Sequence, residues 1–255
     1  MYPTLFRVGN IAVSSFSVMV LIAFLVAYKL SEVEFERKGL SLKLVDLLFG
    51  VSIVGGLVGA KVLFLVQNVA LSEFIAEPVR YLASGLTFLG GLLLSIFLYI
   101  LVTRWKKVSF WKVGDAAAPG LVLAYAIGRI GCLLVGDDYG TPSDLPWAIA
   151  FPRGSPPTIE KVHPTQVYTT LVMTVAFAFL WKIRKKDLPV GWLSSITLII
   201  LGVERFLIEF IRNTTPSFIP GLSQAQLISV GLIIVGIAKL IRLRVQPSNE
   251  VSNSI

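Results

Sequence analysis

The sequence is poor in the side chains that most soluble enzymes rely on. It holds one cysteine, Cys132, and one histidine, His163, in 255 residues. A single cysteine excludes an internal disulfide framework. A single histidine excludes a histidine-rich metal site, and no metal or other cofactor is expected. Charged residues make up only 15% of the chain, against about 25% in soluble domains. What fills the chain instead is apolar: 55% of residues are hydrophobic and the mean hydropathy is +0.79. Several apolar runs reach the roughly 20 residues that cross a hydrocarbon slab. The expected fold is therefore an all-α integral membrane protein of about seven transmembrane helices, forming one polytopic domain over residues 1–255.

The runs are Ile11–Leu30, Leu44–Ala70, Leu86–Thr103, Val113–Val135, Gln166–Lys182, Val190–Ile211 and Leu222–Leu240. The first is long for the core of a cleavable signal and is followed by no clear small-residue cleavage site, so it reads as a span. The longest connection, Gly136–Thr165, is rich in Pro, Gly and Asp. A net charge of +8 would suggest nucleic acid on a soluble protein. Here the placement of the charges matters more than their sum, and no nucleic-acid partner is expected. Lys29, Arg37, Lys38, Lys43, Arg104, Lys106, Lys107, Lys112, Lys182, Arg184, Lys185, Lys186, Lys239, Arg242 and Arg244 fall on one side of the membrane. Only Arg7, Arg80, Arg153, Lys161 and Arg212 fall on the other. That asymmetry puts the amino terminus outside, the carboxyl terminus in the cytoplasm, and the long connection outside.

Charges inside spans need a reason, because each costs about 2.5–3.5 kcal/mol on insertion scales. Arg129 stands toward the outer end of span four. Arg205 and Glu209 stand in span six, with Arg212 three residues on, and those spacings share one helical face. One reading is a self-neutralising pair that only packs the bundle. Convergence favours a site instead. The topology brings Arg129, Asp137, His163, the Arg205 face and the Gly85–Gly91 turn to one leaflet. Two or three arginines against one or two acids would leave a positive pocket, and guanidinium forks suit a lipid phosphate. Gly55, Gly56 and Gly59 read better as helix-packing residues. Cys132 reads as a small buried side chain.

The segment Gly128-Arg129-Ile130-Gly131, with Gly136 and Asp137 after it, resembles the signature of bacterial prolipoprotein diacylglyceryl transferases. So do His163-Pro164-Thr165-Gln166-Val167-Tyr168 and the stretch from Arg205 to Arg212. Thr87-Phe88-Leu89-Gly90-Gly91 and Gly55 to Lys61 are similar to family segments too, and all occur in family order. The resemblance implies an enzyme of the bacterial inner membrane. It would transfer the diacylglyceryl group of phosphatidylglycerol to the lipobox cysteine of exported prolipoproteins, with glycerol phosphate leaving. It implies that Arg129 and Arg205 hold the phosphate, that Glu209 orients Arg205, and that Asp137, Gly90, Gly91 and Arg212 belong to the substrate site. The chain is a divergent member. Leu89 stands where the family usually has a histidine treated as the catalytic base. Cys132 and Val135 replace asparagine, Asp137 and Thr169 replace glutamate, and Phe16 stands for a tyrosine. His163 has two readings: base for a thiol whose pKa is about 8.5, or a loop residue orienting the start of span five. The second weighs more, and His163 stays in the candidate catalytic set with Arg205 and Glu209. The competing functions are a paralogue with another acceptor and a non-catalytic phospholipid-binding protein.

Overall fold

A backbone amide in hydrocarbon has no water to bond, so apolar runs of this length satisfy themselves as helices. The structure, a computed structural model, describes residues 1–9, 11–212, 219 and 221–245. A short hairpin comes first, β1 (Thr4–Val8) and β2 (Ile11–Ser14), followed by α1 (Ser15–Arg37) and α2 (Leu42–Asn68). Two brief helices, α3 (Leu71–Ala76) and α4 (Pro78–Ala83), precede α5 (Phe88–Trp105) and α6 (Phe110–Val135). A second hairpin, β3 (Ile149–Phe151) and β4 (Thr158–Val162), lies before α7 (Thr165–Ile183). Helix α8 (Trp192–Ile208) continues into a 3₁₀ turn, Glu209–Ile211, and α9 (Gln224–Val245) closes the described chain.

Each expected span corresponds to one of the long helices α1, α2 and α5 to α9. Five of these, α1, α2, α6, α7 and α9, are long and apolar enough to cross a membrane. The apolar part of α5, Leu89–Trp105, is shorter, and α8 has 17 residues before its 3₁₀ turn. The first expected boundary is corrected. Ile11–Ser14 pairs as a strand with Thr4–Val8, and the helix starts at Ser15. The Ser15 hydroxyl donates to the Tyr2 carbonyl, which ties the helix start to the hairpin.

By its contacts the chain divides into two compact units: Met1–Ser31 with Gly114–Ile255, and Glu32–Val113. In the second unit, α2 and α5 cross backbone to backbone. A Cβ on Gly91 would stand 2.6 Å from the Gly56 carbonyl oxygen, and one on Gly59 or Gly90 would collide with the other's carbonyl. Gly55 faces Ser95 less tightly, with a would-be contact of 3.0 Å. Small residues let two helices approach this far where no hydrophobic effect drives them together. This packing accounts for Gly90 and Gly91 as well, which the resemblance placed at the substrate. The charge of Lys61 is met within the same unit. Its ammonium donates to the carbonyls of Tyr81, Ser84 and Gly85, the last at 2.8 Å.

In the first unit, Ala118, Val122 and Ala126 of α6 pack on Met173, Ala176 and Leu180 of α7. Asp115, near the start of α6, caps α8. Its carboxylate accepts from the backbone N–H of Gly191 and of Ser194 and from the Ser194 hydroxyl, each at 2.7 Å. Gly191 holds the left-handed φ of +97° that this start requires. These contacts fix α6, α7 and α8 against one another before any polar chemistry is added.

Candidate active site: an arginine clamp

Helix α6 delivers Arg129 to the site almost wholly buried, 5% exposed. The chain then turns sharply, with left-handed φ at Gly136 (+73°) and Asp138 (+60°). Aspartate tolerates that conformation better than most residues. The turn points the Asp138 carboxylate back at the helix end, and two guanidinium groups meet it there. Arg129 Nη1 donates to Oδ2 at 2.8 Å and Arg212 Nη2 donates to Oδ1 at 2.6 Å. Asp138 thus bridges two arginines that are 83 positions apart in sequence and clamps them side by side. Each fork keeps free donors. Nε and Nη2 of Arg129, and Nε and Nη1 of Arg212, are buried with no partner among the described residues.

Arg205 lies 3.1 Å from Glu209 Oε2, one helical turn on. That oxygen is in ion-pair contact but not in hydrogen-bonding alignment. The other carboxylate oxygen of Glu209 accepts from the Ser223 hydroxyl of the turn before α9 at 2.8 Å. Glu209 therefore pairs with Arg205 and is itself held in place by Ser223.

Asp137 has a different setting from its neighbour. Its backbone carbonyl accepts from Gln166 Nε2 at 2.5 Å, and its carboxyl lies beside Cys132 with Oδ1 unpartnered. Burial pushes its pKa above the ordinary carboxylate value, against the pull of Cys132, Arg129 and Arg212. For Asp138 burial also acts upward, but Arg212 and Arg129 outweigh it and hold the group below the ordinary value. The ligand atoms of Cys132, Asp137 and Asp138 lie within 4.8 Å of one another. Arg129 Nη1 contacts both Cys132 Sγ, at 3.8 Å, and Asp138, so the cation these groups face is a guanidinium.

Helix α8 adds a residue that the sequence reading left out. Glu204 is 6% exposed, and its Oε1 accepts from the Thr169 hydroxyl of α7 at 2.5 Å. A buried carboxylate is thus present at Thr169, where the family usually carries glutamate, but it arrives from the neighbouring helix. With Asp138 and Glu204 included, the acids near Arg129, Arg205 and Arg212 are Asp137, Asp138, Glu204 and Glu209. This corrects the expected local excess of positive charge. Anion binding here rests on directed, preorganised N–H donors and not on net charge.

His163 ends the hairpin loop. Its carbonyl accepts from Gly140 N–H at 2.8 Å, and its Nδ1 stands 3.3 Å from the Tyr168 hydroxyl. The Tyr168 hydroxyl also accepts from Trp147 Nε1 at 2.8 Å. These rings line an apolar groove of about 580 Å³ that Leu145, Ile149, Val167, Leu171 and Ile211 complete. The partners of His163 are those of a residue that shapes the start of α7. Gly90 and Gly91 belong to the other compact unit.

Comparison with known proteins agrees with the residues. The profile of the family described as prolipoprotein diacylglyceryl transferase matches residues 3–242. A phosphatidylglycerol–prolipoprotein diacylglyceryl transferase of Clostridium tetani is 31% identical, covering 93% of this chain and 96% of that protein. Proteins of the same name from Bordetella avium and an Azoarcus species are each 34% identical, covering 92% and 93% of both chains respectively. The chain belongs to the prolipoprotein diacylglyceryl transferase family.

Proposed function

We propose that this protein transfers the diacylglyceryl group of phosphatidylglycerol to the lipobox cysteine thiol of exported prolipoproteins. In this reaction the thiol sulfur forms a thioether with the glyceryl carbon. The carbon–oxygen bond to phosphate breaks, glycerol phosphate leaves, and the thiol proton passes to a base or to the departing phosphate. The protein works in the bacterial inner membrane with seven spans, amino terminus outside and carboxyl terminus in the cytoplasm. The observation that carries the reading is the pair of buried forks, Arg129 and Arg212, clamped by Asp138 with four donor nitrogens unpartnered. The leaving phosphate gains charge in the transition state, and fixed donors stabilise it there without reorganising.

Arg205, oriented by Glu209, adds a third guanidinium from the next helix. Asp137 borders the clamp, and its carboxyl is a proton acceptor as well as a substrate contact. His163 shapes the neighbouring groove and is the alternative base for the thiol. Leu89 and Cys132 mark the chain as a divergent member, with less proton-handling capacity than the family pattern supplies.

The test is by variants assayed on a lipobox peptide and phosphatidylglycerol in detergent. Arg129→Ala, Arg212→Ala and Arg205→Ala should each cut transfer by about a hundredfold or more, as loss of one oxyanion donor does elsewhere. Arg205→Lys should recover only part of it, because a point charge lacks the fork. Near-parental transfer by Arg129→Ala would remove the phosphate-clamp assignment.

A further inference from the structure

Beside the free guanidinium donors stand acceptors with nothing to accept. Gln166 is fully buried on α7, and with Nε2 committed to the Asp137 carbonyl its Oε1 has no partner among the described residues. Nearly one turn further along the same face, Thr169 holds Oε1 of Glu204 and leaves the buried Oε2 of Glu204 unpartnered. Glu204 lies within electrostatic reach of Arg129, Arg205 and Arg212. Buried polar atoms are ordinarily paired. Leaving even one acceptor unmade costs about 1–3 kcal/mol. The unpaired acceptors of Gln166 and Glu204, near four donors unpaired among the described residues, describe a ligand that carries an anion and hydroxyl groups together.

We infer that Gln166 Oε1 and Glu204 Oε2 form a hydroxyl-accepting subsite beside the arginine clamp, which selects phospholipids whose head group carries free hydroxyls. The inference rests on the function proposed above and deepens it. A phosphodiester satisfies the guanidinium donors, and the head-group hydroxyls donate to the two side-chain oxygens. An ammonium head group could also donate, and with four acids beside the three guanidinium groups charge does not reject it, so the discriminating comparison is with a head group that has no donor at all. Such a head group leaves both acceptors bare. The head-group hydroxyls take no part in the bond that breaks, which lies on the diacylglyceryl side of the phosphate. Any preference for them is therefore a matter of recognition.

The experiment compares phosphatidylglycerol with phosphatidylpropanol, whose head group has no free hydroxyl. Transfer to a lipobox peptide gives kcat/KM for each lipid, and native mass spectrometry gives their binding. The parent should prefer phosphatidylglycerol over phosphatidylpropanol by at least about tenfold, since one hydrogen bond to a charged acceptor is worth roughly ten- to a hundredfold. Glu204→Leu and Gln166→Leu should bring that ratio toward one. Glu204→Gln, which keeps the shape and one acceptor oxygen, should retain more of the preference than Glu204→Leu. A parent that transfers both lipids equally, or variants that keep the parental ratio, would overturn the subsite. Should the parent transfer no lipid, the proposed function fails. The subsite then stands or falls on whether the binding preference exists and Glu204→Leu abolishes it.

Discussion

Asp138 is gripped by two guanidinium groups at once, so its charge holds both forks in register. Asp138→Asn keeps the shape and loses the charge, and transfer should fall by roughly tenfold or more, the worth of a charged hydrogen bond. The pH dependence follows from the direction of its shift. Arg212 and Arg129 lower the folded-state pKa below the unfolded value of about 3.9. The contribution of the clamp to stability is then present above that unfolded value and lost as pH falls through the lower folded one. Thermal unfolding in detergent should show a gap between parent and Asp138→Asn that is level from about pH 7 to pH 5. The gap should shrink only below about pH 4. A gap that closes by pH 6 would mean that the carboxylate is not held by the arginines. The sequence showed that an acid follows Gly136 but not which acid meets the arginines. That is decided by the left-handed turn at Asp138, which reverses its side chain onto the helix end and leaves Asp137 beside Cys132.

Among the elements, the paired helices α2 and α5 show what periodicity can and cannot reveal. Gly55, Gly56 and Gly59 of α2 were visible as packing candidates, and the crossing at Gly56–Gly91 and Gly59–Gly90 supplies the partners on α5, where the resemblance had placed Gly90 and Gly91 at the substrate. Gly91→Ala should destabilise, by about 1–3 kcal/mol, because the intruding Cβ meets a backbone carbonyl that cannot swing away. Gly50→Ala, on the same α2 but with nothing within 4 Å of the added carbon, should be neutral or mildly stabilising. Equal effects of the two in thermal unfolding would remove the close crossing from the account. Glu204 shows the opposite case. Grouping charges by helical face picked out Arg205, Glu209 and Arg212, and Glu204 lies off that face toward Thr169 of α7. Only the packing of one helix on another gives it a partner, and a one-dimensional period does not contain that information. The alternation Ile11-Ala12-Val13-Ser14 was absorbed into an apolar run for the same reason, since its partner strand is needed to make it a strand.

At the scale of the whole chain, composition carries the membrane assignment, and the fifteen-to-five division of basic residues supports the proposed orientation. A reporter fused after Ile255 should be active only in the cytoplasm, and one inserted near Ser155 only outside. Either reversed result would move the arginine clamp to the wrong leaflet for an exported substrate. The long helices were legible because hydrocarbon length sets their size, and family order was legible because the motifs are spread along the chain. The division into two compact units was not, since it depends on which helices contact which. The central claim joins these scales: a clamp on the outer side of a membrane bundle moves a lipid group onto a thiol. Mass spectrometry tests it most directly, with purified protein, phosphatidylglycerol and a lipobox peptide, following thioether product and released glycerol phosphate together. The account predicts that the two appear in equal amounts, and that both are lost in Arg129→Ala and when the peptide cysteine is replaced by serine. Bound phosphatidylglycerol with neither product from the parent protein would contradict it.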